Sequence, residues 1–528
     1  MQQTIVSVVL PVSADKAAAL QDAIDALRAK LTPNPAAPDD FVLLRENLPT
    51  LHFMSLLVFG PRAGVGAGDA DVSPLFVMEA NFDGLPGPFW AELEAQIGPD
   101  LRDLLRLCAA PRGSVDRMFD AITAPGSRAP IAPLLDRQSV FPEASHAGVR
   151  GLGRNRILWH NALFQAAEAA LPPPDEVLSE GAAAIHAWLR ARLLPAFPWL
   201  DQPYERPFTA AEQTAATRHL VLFGVAALVV AALPWVGLAL LFGRPHGHLA
   251  ADLATLAFLT GAVCMTAMTD IGDLPTLAGR KSMPDLWWQV GGGLLLLAVV
   301  PGFLVRGFGA WWLLVPAGII ASALLLVAAL RTREKRDPVP ADSVPDPAEV
   351  LALQDFEDVH VAGADHMASV VIIKGGWLRG FILRFAMRAL YALLRATAAD
   401  GYLGSMRTIH FAHWGIVDGG KRLLFLSNFD GSWESYLDDF IEKAHAGLTL
   451  AWGNCLGFPP PRYCALDGAT QGRKFKNWAR CSMTQSRFWY AAYPNLTVNQ
   501  IWRQARVVQG LSAPSLSAEQ ALIWAKDL

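Results

Sequence analysis

The chain has 528 residues, 52% of them hydrophobic and 17% charged, with a net charge of −4. Globular domains usually carry about a quarter charged residues, so this composition excludes a wholly soluble protein. No long basic stripe interrupts the charge pattern, which argues against nucleic acid as a partner.

The first apolar run, Thr4–Val12, reads as a β-strand. Met1-Gln2-Gln3 carries no basic side chain and no small-residue cleavage site follows, so a secretory signal is not expected there. Ser13 and Asp15 offer N-cap oxygens for a helix over Lys16–Leu31, with Ala19, Leu20, Ile24 and Leu27 at helical spacing. Leu51–Gly60 and Pro74–Phe82 alternate as two further strands, joined through the Gly64–Gly68 loop. Phe89–Cys108 is a second helix, giving the order β-α-β-β-α.

Four stretches then lack Asp, Glu, Lys and Arg: Leu220–Phe242, Leu253–Thr269, Leu286–Val305 and Phe308–Leu330. About 20 apolar residues cross a bilayer as a helix, so these predict a four-helix transmembrane bundle. Arg206, Arg218, Arg280, Lys281, Arg331, Arg333, Lys335 and Arg336 lie on one face, against Arg244 and Arg306 on the other. The positive-inside rule places both termini in the cytoplasm of a bacterial-type inner membrane. No charge sits within a span, which argues against an ion-coupled transporter.

Beyond the Pro-rich linker the order repeats: strand Ala368–Lys374, helix Leu378–Ala398, hairpin strands Thr408–Val417 and Arg422–Phe429, and helix Trp433–Trp452. Asn81-Phe82-Asp83-Gly84 recurs as Asn428-Phe429-Asp430-Gly431, and the Asn pair and the pair Cys108 and Cys455 share one offset of 347 positions. Asn155 and Ile157 match Asn499 and Ile501, so each copy is expected to end in a short strand and a helix. The fold class predicted is α+β: two tandem ferredoxin-like domains paired as an α/β barrel, with the bundle inserted. The expected boundaries are 1–205, 206–336 for the bundle, 337–365 for the linker, and 366–528.

By this topology the chain resembles the dimeric α/β-barrel superfamily, which includes monooxygenases, chlorite dismutases and dye-decolourising peroxidases. The Asp-Gly of each Asn-Phe-Asp-Gly segment is similar to the Asp-Gly of the peroxidase Gly-x-x-Asp-Gly motif, without its leading Gly. The chain also resembles uncharacterised bacterial membrane proteins with a repeated segment of this kind. The resemblance implies a membrane-tethered oxidoreductase, peroxidase-like or monooxygenase-like, acting on a hydrophobic small molecule, with haem as its cofactor. The other reading is a non-enzymatic anchored module that binds a lipid or a partner redox enzyme; a homodimer is compatible with either.

His410, Asp430, His52 and Asp83 are the candidate ligand or acid–base residues. His410 is the candidate metal ligand, with Trp414 beside it at the cofactor. Strand alternation puts His52 on a face with Met54, Leu56 and Val58, and His410 with Ala412, Trp414 and Ile416. His413 falls on the opposite face, with Ser55 as its counterpart. The bland alternative for each pair is a core histidine and a turn-bracing aspartate. The helix from Trp377 sets Arg379, Arg384 and Arg388 beside Phe381 and Phe385, a pattern that suits either an anionic membrane surface or the cover of a sheet.

Overall fold

The computed structural model describes residues 2–34, 40–60, 72–111, 116–171, 181–243, 313–338, 340, 342–360, 363–397 and 406–528. The expected second and third spans and the Gly64–Gly68 loop lie outside them. The chain forms two compact units: Met1–Thr209 with Pro340–Pro459 and Gly468–Leu528, and Ala210–Val339 with Pro460–Asp467.

In the first unit the elements run β1 (Gln3–Pro11), α1 (Ala17–Leu31), α2 (Val42–Asn47), β2 (Leu51–Phe59), β3 (Leu75–Asp83) and α3 (Pro86–Leu107). The short elements α4 (Asp116–Thr123), α5 (Ala132–Gln138), β4 (Ser139–Val140) and β5 (Ala144–Ala147) precede α6 (Arg154–Ala170) and α7 (Ala182–Leu193). After the inserted unit come β6 (Ala364–Ile372), a helix over Trp377–Thr397, β7 (Ile409–Val417) and β8 (Arg422–Asp430).

Two antiparallel sheets result, in the orders β11-β2-β3-β1-β4 and β5-β7-β8-β6, where β11 is Phe488–Ala491. The last strand of each copy is exchanged. β5 pairs with β7 of the second copy (Ala147↔Phe411), and β11 pairs with β2 of the first (Ala491↔Phe53). Even the minor edge matches: β1 pairs with β4 through Val8↔Ser139, and β6 meets Met483 through Ser369. These pairings join the chain before and after the inserted unit in one compact unit.

Every residue of β2, β3 and β8 is buried, because helices cover one face and the other sheet covers the second. Leu57, Phe59, Leu75 and Val77 from the first sheet join Val370, Val417, Leu424 and Leu426 from the second in one apolar cluster. Gly148 permits the exchange, since a Cβ there would sit 2.0 Å from the Ile409 carbonyl oxygen.

The second unit holds α8 (Ala210–Gly243) and α9 (Leu314–Arg336), with stretches of hydropathy 2.4 and 2.1, long and apolar enough to cross a membrane. Trp235 Nε1 donates to Ser322 Oγ at 2.9 Å, and Gly318 leaves room for the indole. Glu334 accepts from the backbone N–H of Tyr463 and Cys464 between the short strands β9 (Pro461–Arg462) and β10 (Leu466–Asp467). The expected linker contains α10 (Pro347–His360), whose Glu357 accepts from Arg480 at 2.8 Å, so it is partly folded onto the first unit. The helix Trp377–Thr397 is α11; α12 (Trp433–Trp452), α13 (Gly472–Ser482), α14 (Val498–Ser512) and α15 (Ala518–Ala525) complete the chain.

Candidate functional site

A β-bulge decides where the histidines point. The β2–β3 register skips from Leu51 to Phe53, and the β7–β8 register from Ile409 to Phe411. The extra residue in each strand is the histidine. His52 and His410 therefore leave the helix-covered face expected from alternation and turn between the sheets, beside Phe53 and Phe411. The His52 ring lies 5.3 Å from Phe411, and Phe53 lies 5.2 Å from His410.

The structure brings each histidine to its aspartate. His410 Nε2 and Asp430 Oδ1 are 2.7 Å apart; His52 Nε2 and Asp83 Oδ1 are 3.1 Å apart, close but not aligned as a hydrogen bond. The second oxygen of each carboxylate accepts a helix N-terminal N–H: Arg154 N to Asp83 Oδ2, and Val498 N to Asp430 Oδ2, both at 2.8 Å. These are the first residues of α6 and α14, where the helix dipole favours a negative charge. Gly84 and Gly431 follow with φ of +102° and +79°, a left-handed turn that favours glycine. Each Asn-Phe-Asp-Gly segment is thus a strand end, a helix cap and a turn at once.

The copies differ at the other imidazole nitrogen. His52 Nδ1 bonds the Tyr493 hydroxyl at 2.7 Å, whereas His410 Nδ1 has no hydrogen-bond partner among the described residues. Burial first, then the charges of Asp83 and Asp430, push the Tyr493 phenol well above its ordinary range. Trp414 is not part of this site: its ring packs 4.7 Å from Phe425 and 6.0 Å from Trp452 on the helix side of the sheet. The bulge that turned His410 inward separated the two.

Between the sheets lies a second polar cluster that sequence reading missed, centred on Glu79. Its Oε2 meets His366 Nε2 at 2.9 Å and accepts from Ser55 Oγ at 3.2 Å; its Oε1 accepts from Asn81 at 2.9 Å and Asn428 at 3.2 Å. His366 Nδ1 reaches Ser486 Oγ at 2.5 Å, His413 Nε2 reaches Ser7 Oγ at 2.9 Å, and Trp489 Nε1 donates to Asn428 Oδ1 at 2.8 Å. Burial alone raises the Glu79 carboxyl, but the His366 hydrogen bond and charge, the His413 charge and Asn81 outweigh it and hold it at about 2. Burial, opposed by Glu79, lowers His413 to about 4, so at neutral pH His413 is uncharged and His366 with the amides holds the carboxylate. The position equivalent to Glu79 in the second copy is Leu426, and the available signal was a charge in an otherwise apolar strand.

Cys108 and Cys455 are buried, and burial pushes both thiols up to about 12, so neither is a ready nucleophile. Arg154 is buried at the start of α6 and donates to the Arg45 carbonyl, which makes it a structural part of the cap.

His410 Nε2 is committed to Asp430, and Phe53 and Tyr493 pack at 5.2 and 5.7 Å from the ring, so a haem iron could reach this imidazole only through Nδ1. Among the described residues no three His, Cys, Asp or Glu side chains are gathered to hold a metal ion. No family model matches the chain, and no curated protein or solved structure matches it.

Proposed function

We propose that the chain is a membrane-anchored, non-enzymatic binding module: two ferredoxin-like repeats closed as one α/β barrel and carried by a four-helix bundle at a bacterial inner membrane. One observation carries this reading. Both His–Asp pairs are buried and spent on helix caps, and aromatic rings with the Glu79 cluster fill the space between the sheets. Such a barrel acts through its outer surface. The anchor is supported by α8 and α9, whose most apolar windows are only 11% and 17% buried, whereas core helices of soluble proteins are mostly buried. The test is an absorption spectrum of full-length protein purified in detergent from cells supplied with haem. A featureless spectrum is expected; a Soret band that disappears in His410→Ala overturns the reading.

The second reading, a membrane-tethered oxidoreductase acting on a hydrophobic substrate, is favoured by the chain Tyr493–His52–Asp83. An added one-electron chemical oxidant would take the electron from Tyr493, and the phenolic proton would pass to His52 Nδ1 along the 2.7 Å hydrogen bond. It predicts a tyrosyl radical signal on one-electron oxidation that Tyr493→Phe abolishes.

A further inference from the structure

The helix α11 carries an aromatic face that the fold leaves open. Trp377, Phe381 and Phe385 are spaced four residues apart, on one side of the helix, and are 78%, 58% and 45% exposed. Phe381 and Phe385 stack with ring centres 6.4 Å apart. Arg384 is exposed within the stripe, and Arg388 flanks it while bonding Glu143 at 2.8 Å. The helix has no Asp or Glu, and of its arginines Arg379 is buried and donates to Asn454 Oδ1 at 3.1 Å, which leaves Arg384 as the exposed cation of this face. Its opposite side, Leu383 and Met387, packs into the core.

The first copy supplies an internal control. Its α1 stands at the same place, between the first and second strands, and buries Leu20, Ile24 and Leu27. Its exposed side is Ala18, Ala19, Asp22 and Ala26. Covering the sheet therefore needs no outward aromatics, and something else accounts for those of α11.

We infer that α11 docks on the surface of an anionic lipid bilayer, its aromatic stripe entering the headgroup zone and its exposed Arg384 meeting lipid phosphate. Charge selects this occupant: an outward Arg384 among outward Trp and Phe, on a helix without Asp or Glu, matches an acidic lipid surface. The apolar helices of the same chain keep the bilayer near, so a weak surface contact is effectively intramolecular. The inference rests on the anchoring part of the reading above; whether the barrel is an enzyme does not enter.

The test places a spin label at Phe381→Cys, in a Cys481→Ser background, with a control label at Ala18→Cys. Full-length protein is reconstituted in nanodiscs of phosphatidylcholine with or without phosphatidylglycerol. In anionic discs the label at 381 should gain several-fold in accessibility to oxygen over a water-soluble nickel chelate, while the label at 18 stays aqueous. Arg384→Glu should return the 381 label to water without changing the circular dichroism. A 381 label as wet as the control in anionic discs overturns the inference while the anchor stands. Equal shielding in detergent micelles, together with a doubled mass, overturns it in favour of a second copy of the chain. Failure to enter discs at all overturns the anchor and the inference together.

Discussion

Glu79 is the side chain on which the buried polar interface depends, because four residues from both sheets direct hydrogen bonds at its two oxygens. Replacing it by Leu, as at Leu426, leaves those groups without a partner, and breaking a buried charged cluster costs about 3–5 kcal/mol. Urea denaturation should show this loss, and an unchanged midpoint would mean that the cluster contributes nothing. Acid should weaken the unit in two steps. His413 has a folded pKa of about 4, below the ordinary 6.5, so the stability from keeping it neutral is full above pH 6.5 and falls as pH drops towards 4. Glu79, at about 2 against 4.5, contributes above pH 4.5 and loses that contribution as pH falls from 4.5 towards 2. The slope for one histidine is at most about 1.4 kcal/mol per pH unit. Burial holds His146 at about 4 and His160 at about 3, so they share this window, and His413→Asn should lessen the upper step measured from pH 7 to pH 4 without abolishing it.

Among the elements, the exchanged strands β5 and β11 matter most, because neither copy completes its sheet alone. Gly148→Ala drives a methyl onto the Ile409 carbonyl and should lower the melting temperature, whereas Gly224→Ala, with open space around it, should not. Thermal melts of the two variants decide the point. The β-α-β-β-α order was legible because alternation and helical spacing are local, and because Asp83-Gly84 and Asp430-Gly431 mark the same turn twice. The bulges at His52 and His410 were not, since one extra residue leaves no trace in composition yet flips the side chain to the other face. Strand exchange was equally silent: Ala144–Ala147 has the same local pattern whichever sheet it joins. The Glu79 cluster was hidden because its partners are scattered from Ser7 to Trp489, and only their convergence in space gives them meaning.

For the whole molecule, an even number of spans would place the residues before α8 and after α9 on one side of the membrane. Cysteine probes at Arg206 and Arg336 should then react with an impermeant reagent from the same side of sealed vesicles; labelling from opposite sides would require an odd number of spans. Within the first unit the two His–Asp pairs are latches that tie a bulged strand to a helix N-terminus, each copy using the same two contacts, imidazole to carboxylate and carboxylate to helix N–H. The most direct measurement is a stability cycle on His410 and Asp430, with the two single alanine variants and the double variant followed by denaturant unfolding. Each single change should cost about 1–3 kcal/mol, and the double change less than the sum, because the pair is coupled. Single variants as stable as the parent, with additive effects, would contradict this and return the pair to the list of groups held in place for chemistry.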